Sequence, residues 1–324
     1  MIRICSIYGD GIGKEVIPVA ERILSQLVPD IVFVQAQAGF GTFQECGSAL
    51  PSETLEEARN ADAVLFGAVG SPSHPVEGYR SPIVQLRREL DLYANLRPTQ
   101  GPRARMLIVR ENTEGLYAGR ERLENAETAI AERVVTVRAT KRIVQKAFDE
   151  ARAGGFGRVT LVHKANVLRV TDGLFRTTAL EVAAHNSDIQ MDEMLVDTAA
   201  MKLAEAPERF EVVVTTNIFG DILSDVAAIH GGGIGLAASA NIGEEHGVFE
   251  PVHGSAPDIA GKGIANPSAA CLSAALMLEW LGARRGDASL SDAGSRLNQA
   301  VRSAIPCQTT EDWERRVRED LRVG

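Results

Sequence analysis

The sequence predicts an α/β protein divided into about two domains. Three observations carry that expectation. β-Branched, apolar runs alternate with stretches of helical period along most of the chain. The length, 324 residues, exceeds what a single core ordinarily encloses. Glycine and polar residues follow the apolar runs at once, where open α/β sheets bring ligands to the ends of their strands.

Composition limits the function. The chain is 45% hydrophobic and 24% charged, without a low-complexity tract, as in an ordinary soluble protein. A net charge of −9 argues against nucleic acid as a partner, because phosphate binding needs a basic face. No membrane partner is expected: the longest nearly apolar run, 269–281, is too short to span a bilayer and contains Glu279. Gly9, Asp10 and Gly11 interrupt any secretory pattern at the start. Cys5, Cys46, Cys271 and Cys307 form no CxxC pair, so neither a zinc site nor a disulfide framework is expected. The thiols are read as reduced and the protein as cytoplasmic.

In chain order, residues 2–7 alternate as a strand, Gly9-Asp10-Gly11-Ile12-Gly13 turns, and 15–27 has a helical period. The glycines fall as G-x-G-x-G, and no acidic residue closes a second strand about twenty residues on, so a Rossmann site is not expected. Backbone brought close to a ligand is the safer reading of the turn. Strand 31–36, helix 52–59 and strand 63–67 continue the alternation. Residues 76–79 read as a loop, 82–90 as a helix and 106–109 as a strand.

Arg87, Arg97 and Arg110 stand at element ends. One arginine is most often surface solvation, but three so placed fit a polyanion pocket, since guanidinium forks suit carboxylates. Residues 118–136 are polar and acidic, with alternation at 133–137; then come a helix at 141–152 and a strand at 159–163. The strand leads into Lys164, either a solvated tip or a base whose pKa a nearby cation lowers. Residues 194–197 end another strand in Asp197, a candidate third metal ligand.

The organising stretch is 212–225: a β-branched strand, then Thr216-Asn217-Ile218-Phe219-Gly220, then a helix. If that helix begins near Phe219, Asp221 and Asp225 share one face. They read either as a capping and a solvated aspartate or as a site for Mg²⁺ or Mn²⁺, which take few protein carboxylates. Beyond lie a flexible loop at 231–235 and small residues around His253 and Asp258, suited to a cofactor. His253 lacks a second ligand at metal spacing. An apolar helix at 267–281 reads as core or interface, and 284–324 is charged and helical with no evident chemistry.

These motifs resemble the β-decarboxylating dehydrogenases (isocitrate, 3-isopropylmalate, homoisocitrate and tartrate dehydrogenases) from residue 1 to about 282. The carriers are Gly9 to Gly13, Leu92-Tyr93-Ala94-Asn95-Leu96-Arg97-Pro98, Val109-Arg110-Glu111-Asn112-Thr113-Glu114, Lys164-Ala165-Asn166-Val167, Asn217 to Asp225, and Glu250 to Lys262. Segments 38–43 and 76–89 are most similar to the homoisocitrate branch. The family's Asp-Leu-Gly-Gly segment near the C-terminus is absent, with Ile305-Pro306-Cys307-Gln308 in that region.

The resemblance implies an isopropylmalate-dehydrogenase-like fold with a large mixed sheet flanked by helices, not a Rossmann fold. It implies a larger cofactor domain (1–98 with 250–324) and a smaller substrate, metal and dimerisation domain (99–249), with an intersubunit clasp at 118–137. Arg87, Arg97 and Arg110 would hold substrate carboxylates. Tyr79, Ser81, Val84 and Asn166 would complete the substrate site. Asp197, Asp221 and Asp225 would hold Mg²⁺ or Mn²⁺, which also binds the substrate's C2 hydroxyl and adjacent carboxylate. Metal coordination acidifies that hydroxyl, so Lys164 can take its proton while hydride leaves C2. Tyr117 would protonate carbon after CO₂ is lost.

The cofactor would lie against Ile12, Asn166, Glu250, His253, Gly254, Ser255, Ala256, Asp258, Ile259 and Asn266. Asp258 can accept from ribose hydroxyls and repels a 2′-phosphate, which favours NAD over NADP. The implied reaction is oxidative decarboxylation of (homo)isocitrate to 2-oxoadipate in lysine biosynthesis through 2-aminoadipate. Isocitrate or 3-isopropylmalate is the alternative substrate, and a silent regulatory subunit the alternative of another class. A homodimer or dimer of dimers is expected, with Lys164 and Asp197 reaching across the interface beside a four-helix contact.

Overall fold

The computed structural model describes residues 1–304 and 307–323. The chain divides into two compact units, Met1–Asp91 with Ile234–Gly324, and Leu92–Gly233. The first begins with β1 (Ile2–Gly9), α1 (Gly13–Leu27), β2 (Ile31–Ala36), α2 (Phe40–Cys46), α3 (Ser52–Asn60), β3 (Ala63–Ala68) and α4 (Pro82–Glu89). The second holds β4 (Ala94–Gly101), β5 (Ala104–Glu111), β6 (Glu121–Asn125), β7 (Thr128–Ala131), α5 (Val137–Ala153), β8 (Arg158–His163) and α6 (Thr171–Ala184). It continues through β9 (Gln190–Leu195), α7 (Val196–Glu205), β10 (Val212–Thr215) and α8 (Asn217–Ala228). The chain then returns to the first unit with β11 (Ala238–Ile242), β12 (Gly247–Pro251), α9 (Ser268–Arg285), α10 (Ala288–Ser303) and α11 (Thr310–Val323).

Each unit carries mixed sheet flanked by helices, as expected for this α/β class. In the first, the strand order is β2-β1-β3-β12-β11, parallel except for the β11–β12 pair. β3 is buried at every position, the pattern of a central parallel strand. In the second, the order is β4-β5-β10-β8-β9, parallel except for β4–β5. Here Thr215 of β10 lies opposite Arg110 of β5 and Val162 of β8. That register brings three strand ends level, and from them emerge Arg110, Lys164 and Asn217.

Met106, Ile108, Val213, Leu203 and Leu223 share one core in this unit. α8 presses Leu223 and Ala227 into it and turns Asp221 and Asp225 away. Full burial of Leu223 stabilises that seating by about 1.5–3 kcal/mol.

Several expectations need correction. The alternation at 133–137 is not a strand: Val134 makes one isolated bridge to Gly115, and Val137 already starts α5. The hairpin β6–β7, exposed along nearly all its length, occupies the acidic segment instead. Asp197 ends no strand but lies in the first turn of α7. α8 starts at Asn217 rather than Phe219, with Thr216 as its N-cap. The chain passes between units after Asp91 and after Gly233, not after residues 98 and 249. β4 joins the second unit because it pairs with β5, and β11 joins the first because it pairs with β12. Of the atypical C-terminal segment, Ile305 and Pro306 lie outside the described residues. No helix among the described residues is long and apolar enough to cross a membrane.

Candidate active site

In the second unit, Arg110 at the end of β5 is buried and its guanidinium is fixed from two sides. Nε and Nη2 donate to Asn217 Oδ1 at 3.0 and 2.8 Å, and Nη1 donates to Asp221 Oδ1. Gly220 permits this approach: a Cβ there would lie 2.6 Å from both Cβ and Cγ of Arg110. Arg97 on β4 reaches the same helix. It donates to Asn95 Oδ1 at 2.9 Å and Ser224 Oγ at 2.7 Å, and lies 3.4 Å from both Asp221 and Asp225. Tyr117, on the short turn Leu116–Ala118, donates its hydroxyl to Asp221 Oδ2, and its ring lies 5.0 Å from the Arg110 guanidinium carbon. Burial, and then that hydrogen bond, raises the Tyr117 pKa, so the phenol keeps its proton.

Arg97, Arg110, Tyr117, Asp221 and Asp225 thus form one cluster of cations, carboxylates and a protonated phenol. Asp221 and Asp225, one helical turn apart, offer only hard oxygen donors, which suit Mg²⁺ or Mn²⁺. Asp197 stands elsewhere, where Lys164 Nζ donates to its Oδ1 at 2.5 Å. That bond holds its carboxyl below the usual aspartate range. No three His, Cys, Asp or Glu side chains gather as a metal group among the described residues. Asn166, just after Lys164, is exposed.

In the first unit, the Gly9–Gly13 turn meets the loop after β12. The Ile12 N–H donates to Ser255 O at 2.9 Å, and Gly11 has φ 53°, with any Cβ 2.0 Å from that oxygen. Ala256 has φ 39°, a conformation that side chains rarely adopt and that ligand loops often retain. Glu15 accepts from Gly261 N at 2.7 Å and Gly263 N at 3.2 Å, which ties the stretch after Ile259 to α1. Gly254 and Asp258 are exposed. His253 is half-buried; desolvation lowers its pKa, and its Nε2 has no hydrogen-bond partner. Asn266 Oδ1 accepts from the N–H and hydroxyl of Ser268 at the start of α9. A backbone-lined loop with a neutral imidazole and a free carboxylate fits a nucleotide's sugars and rings better than a metal.

Arg87 on α4 pairs with Glu250 at 3.1 Å, and Glu250 also accepts from Asn241 at 2.8 Å. The Arg87 Nε is buried and has no hydrogen-bond partner, a donor that could meet a carboxylate. Ile83 turns into the core, leaving Ser81 and Val84 partly exposed. Tyr79 packs edge-on against Phe40 and Phe43, each 5.3 Å away, and donates its hydroxyl to Gly70 O at 3.0 Å.

Sequence reasoning missed Asp10, which accepts from the N–H groups of Phe40, Gly41 and Gly70 and gathers these loops. An acidic residue inside a glycine turn was the available signal. It also missed Asn217 and Ser224 as partners of the arginines, for which local spacing carries no signal.

Among known proteins, residues 3–319 match the isocitrate/isopropylmalate dehydrogenase family. The homoisocitrate dehydrogenase of Methanocaldococcus jannaschii is 49% identical, over 89% of this chain and 88% of its own. A 3-isopropylmalate/3-methylmalate dehydrogenase of the same organism is 51% identical, over 87% and 86%. The crystal structure of isocitrate dehydrogenase from Methylococcus capsulatus matches with a TM-score of 0.92 at 39% identity, covering 99% of this chain and 100% of that one.

Proposed function

The chain belongs to the isocitrate/isopropylmalate family of β-decarboxylating dehydrogenases, and on that premise we propose that it converts homoisocitrate to 2-oxoadipate and CO₂, reducing NAD, in lysine biosynthesis through 2-aminoadipate. The observation that carries this reading is the cluster in which Arg97, Arg110 and Tyr117 surround Asp221. It supplies paired forks for substrate carboxylates, a proton donor and hard-cation ligands in one place.

Arg97 and Arg110 bind the substrate carboxylates, and their fixed forks set its orientation. Lys164 would accept the C2 hydroxyl proton, the bound nicotinamide supplying the hydride acceptor for the oxidation at C2. Asp221, Asp225 and Asp197 would hold Mg²⁺ or Mn²⁺, which would supply Lewis-acid stabilisation of negative charge on the substrate oxygens. Tyr117, kept protonated by burial, returns a proton to carbon. The loop 253–258 with Ile12, Ile259 and Asn266 would hold NAD, with Asp258 as the acceptor for ribose hydroxyls.

The working form is a homodimer or dimer of dimers in the cytoplasm. Lys164 and Asp197 pair away from Asp221 and Asp225, which fits their service in the partner's site. Val170 is 85% exposed, Val167 65% and Ile222 55%, apolar surface of the kind a second copy covers. Tyr117, Lys164 and all three aspartates are present, which disfavours a silent regulatory subunit.

Substrate choice is the finer point. The Tyr79 hydroxyl donates within its own unit, so the terminal carboxylate of the homoisocitrate arm is met by Ser81 and the exposed Arg80, with methylenes against Val84. Val84 and the 51% identical 3-isopropylmalate relative favour the rival substrate. Initial rates for all three acids decide. We expect kcat/KM to fall from homoisocitrate to isocitrate by about 10-fold or more for the lost methylene, with 3-isopropylmalate last. A higher value for either competitor overturns the assignment.

A further inference from the structure

Outside the residues assigned above, the second unit buries an ion pair. Asp172, in the first turn of α6, is completely buried, and the Arg133 side chain, ahead of α5, is 11% exposed. Arg133 Nη1 donates to Asp172 Oδ1 and to Thr171 Oγ1 at 2.9 Å. Its Nη2 donates to Thr216 Oγ1 at 2.8 Å, and its guanidinium carbon lies 5.1 Å from the Phe219 ring. The second oxygen of Asp172 accepts the backbone N–H of Lys164 at 2.6 Å. The neighbouring N–H of Ala165 goes to His163 Nδ1 at 3.1 Å. Thr216 is the N-cap of α8. One buried pair therefore joins the backbone of Lys164 to the start of the helix that carries Asp221 and Asp225.

Stability alone does not account for such a pair. Burying both charges costs about as much as their attraction returns, and apolar residues of similar volume often stabilise as well or better. What an apolar pair lacks is direction. A carboxylate that accepts a backbone N–H and a guanidinium that reaches a helix cap fix relative position through hydrogen bonds.

We propose that Arg133 and Asp172 are positioning residues, an intrachain clamp that holds the backbone of Lys164 against the start of α8. The clamp presents the lysine at a fixed place on its unit, ready for the site it completes. The proposal rests on Lys164 as the proton acceptor. A loosened lysine still lets substrate bind, since the arginines are untouched, but it meets the hydroxyl less often in a productive geometry. The loss therefore falls on kcat.

The test replaces the pair by apolar residues, Arg133→Met with Asp172→Leu, in the full-length enzyme supplied with Mg²⁺ and NAD. Expected are a Tm near that of the parent, kcat lower by about 10-fold or more and KM changed by less than about twofold. Hydrogen exchange of the Lys164 amide, read without substrate, metal or cofactor, accelerates by about 10-fold or more. Lys164→Met serves as reference. If it keeps full activity, the base assignment itself fails. If Lys164→Met is inactive while the double variant keeps parental kcat and Lys164 exchange, the clamp is overturned. Should the double variant not fold, Arg133→Lys, which keeps the cation but loses the fork, is read by the same two measurements. Parental values there overturn the proposal equally.

Discussion

Lys164 and Asp197 are bound to one another, Nζ to Oδ1 at 2.5 Å, at the surface of the second unit. The Asp197 side chain is 64% exposed, so the pair stands in water rather than in a core. An exposed pair of this kind, screened by water, contributes little to stability. If Lys164 is the base and Asp197 a metal ligand, as proposed, a pair so exposed separates cheaply when a second copy offers substrate and cation.

That relationship predicts interallelic rescue. Tyr117→Phe and Lys164→Ala chains are each nearly inactive as homodimers. If Lys164 serves the partner's site, a purified heterodimer of the two regains about half of the parental turnover, because one of its sites is then intact. Steady-state rates on tag-separated heterodimers check this. An inactive heterodimer shows that each chain completes its own site.

Metal dependence is expected to centre on α8. Asp221→Asn keeps the size of the side chain and removes one anionic oxygen donor. We expect kcat/KM to fall on the order of 100-fold or more. EDTA-treated parent enzyme loses activity and recovers it on addition of Mg²⁺ or Mn²⁺. Full activity in EDTA refutes the metal reading.

Cofactor choice follows from the exposed carboxylate of Asp258. Like charges repel across a 2′-phosphate, so the parent is expected to prefer NAD, and Asp258→Ala to weaken that preference by about 10-fold or more. The ratio of kcat/KM for NAD and NADP measures it. An unchanged ratio places the discrimination on another residue.

Gly220→Ala sets two effects against each other. In a helix, alanine is favoured over glycine by about 1 kcal/mol. The new Cβ, however, would fall 2.6 Å from the Cβ and Cγ of Arg110, atoms close to the β5 backbone that cannot swing aside. Overpacking of that kind costs about 1–3 kcal/mol, so the clash prevails. The variant is expected to melt below the parent and to show a raised KM, because Arg110 is displaced from Asn217 and Asp221. A Tm above the parent would mean that α8 shifts freely.

By itself the sequence determined the α/β class, the strands that became β1, β2, β3, β5, β8 and β10, and the helix-borne pair Asp221 and Asp225. All of these are local: a period of two or of 3.6, a glycine turn, a spacing of four. The strands β11 and β12 escaped it, since the buried Ser239 and Asn241 break the apolar pattern, and the Asn241 amide is tolerated because it donates to Val248 O and Glu250 Oε1. The fork of Arg110 on Asn217, 107 residues away, and the pairing of Arg133 with Asp172, 39 residues away, were likewise decided by the tertiary structure alone. A charged side chain in a sequence shows what it can bond to, not which group it will meet. Burial makes that meeting obligatory, because an unpaired charge in a core is too costly to keep, and the partner comes from wherever the sheet register delivers it.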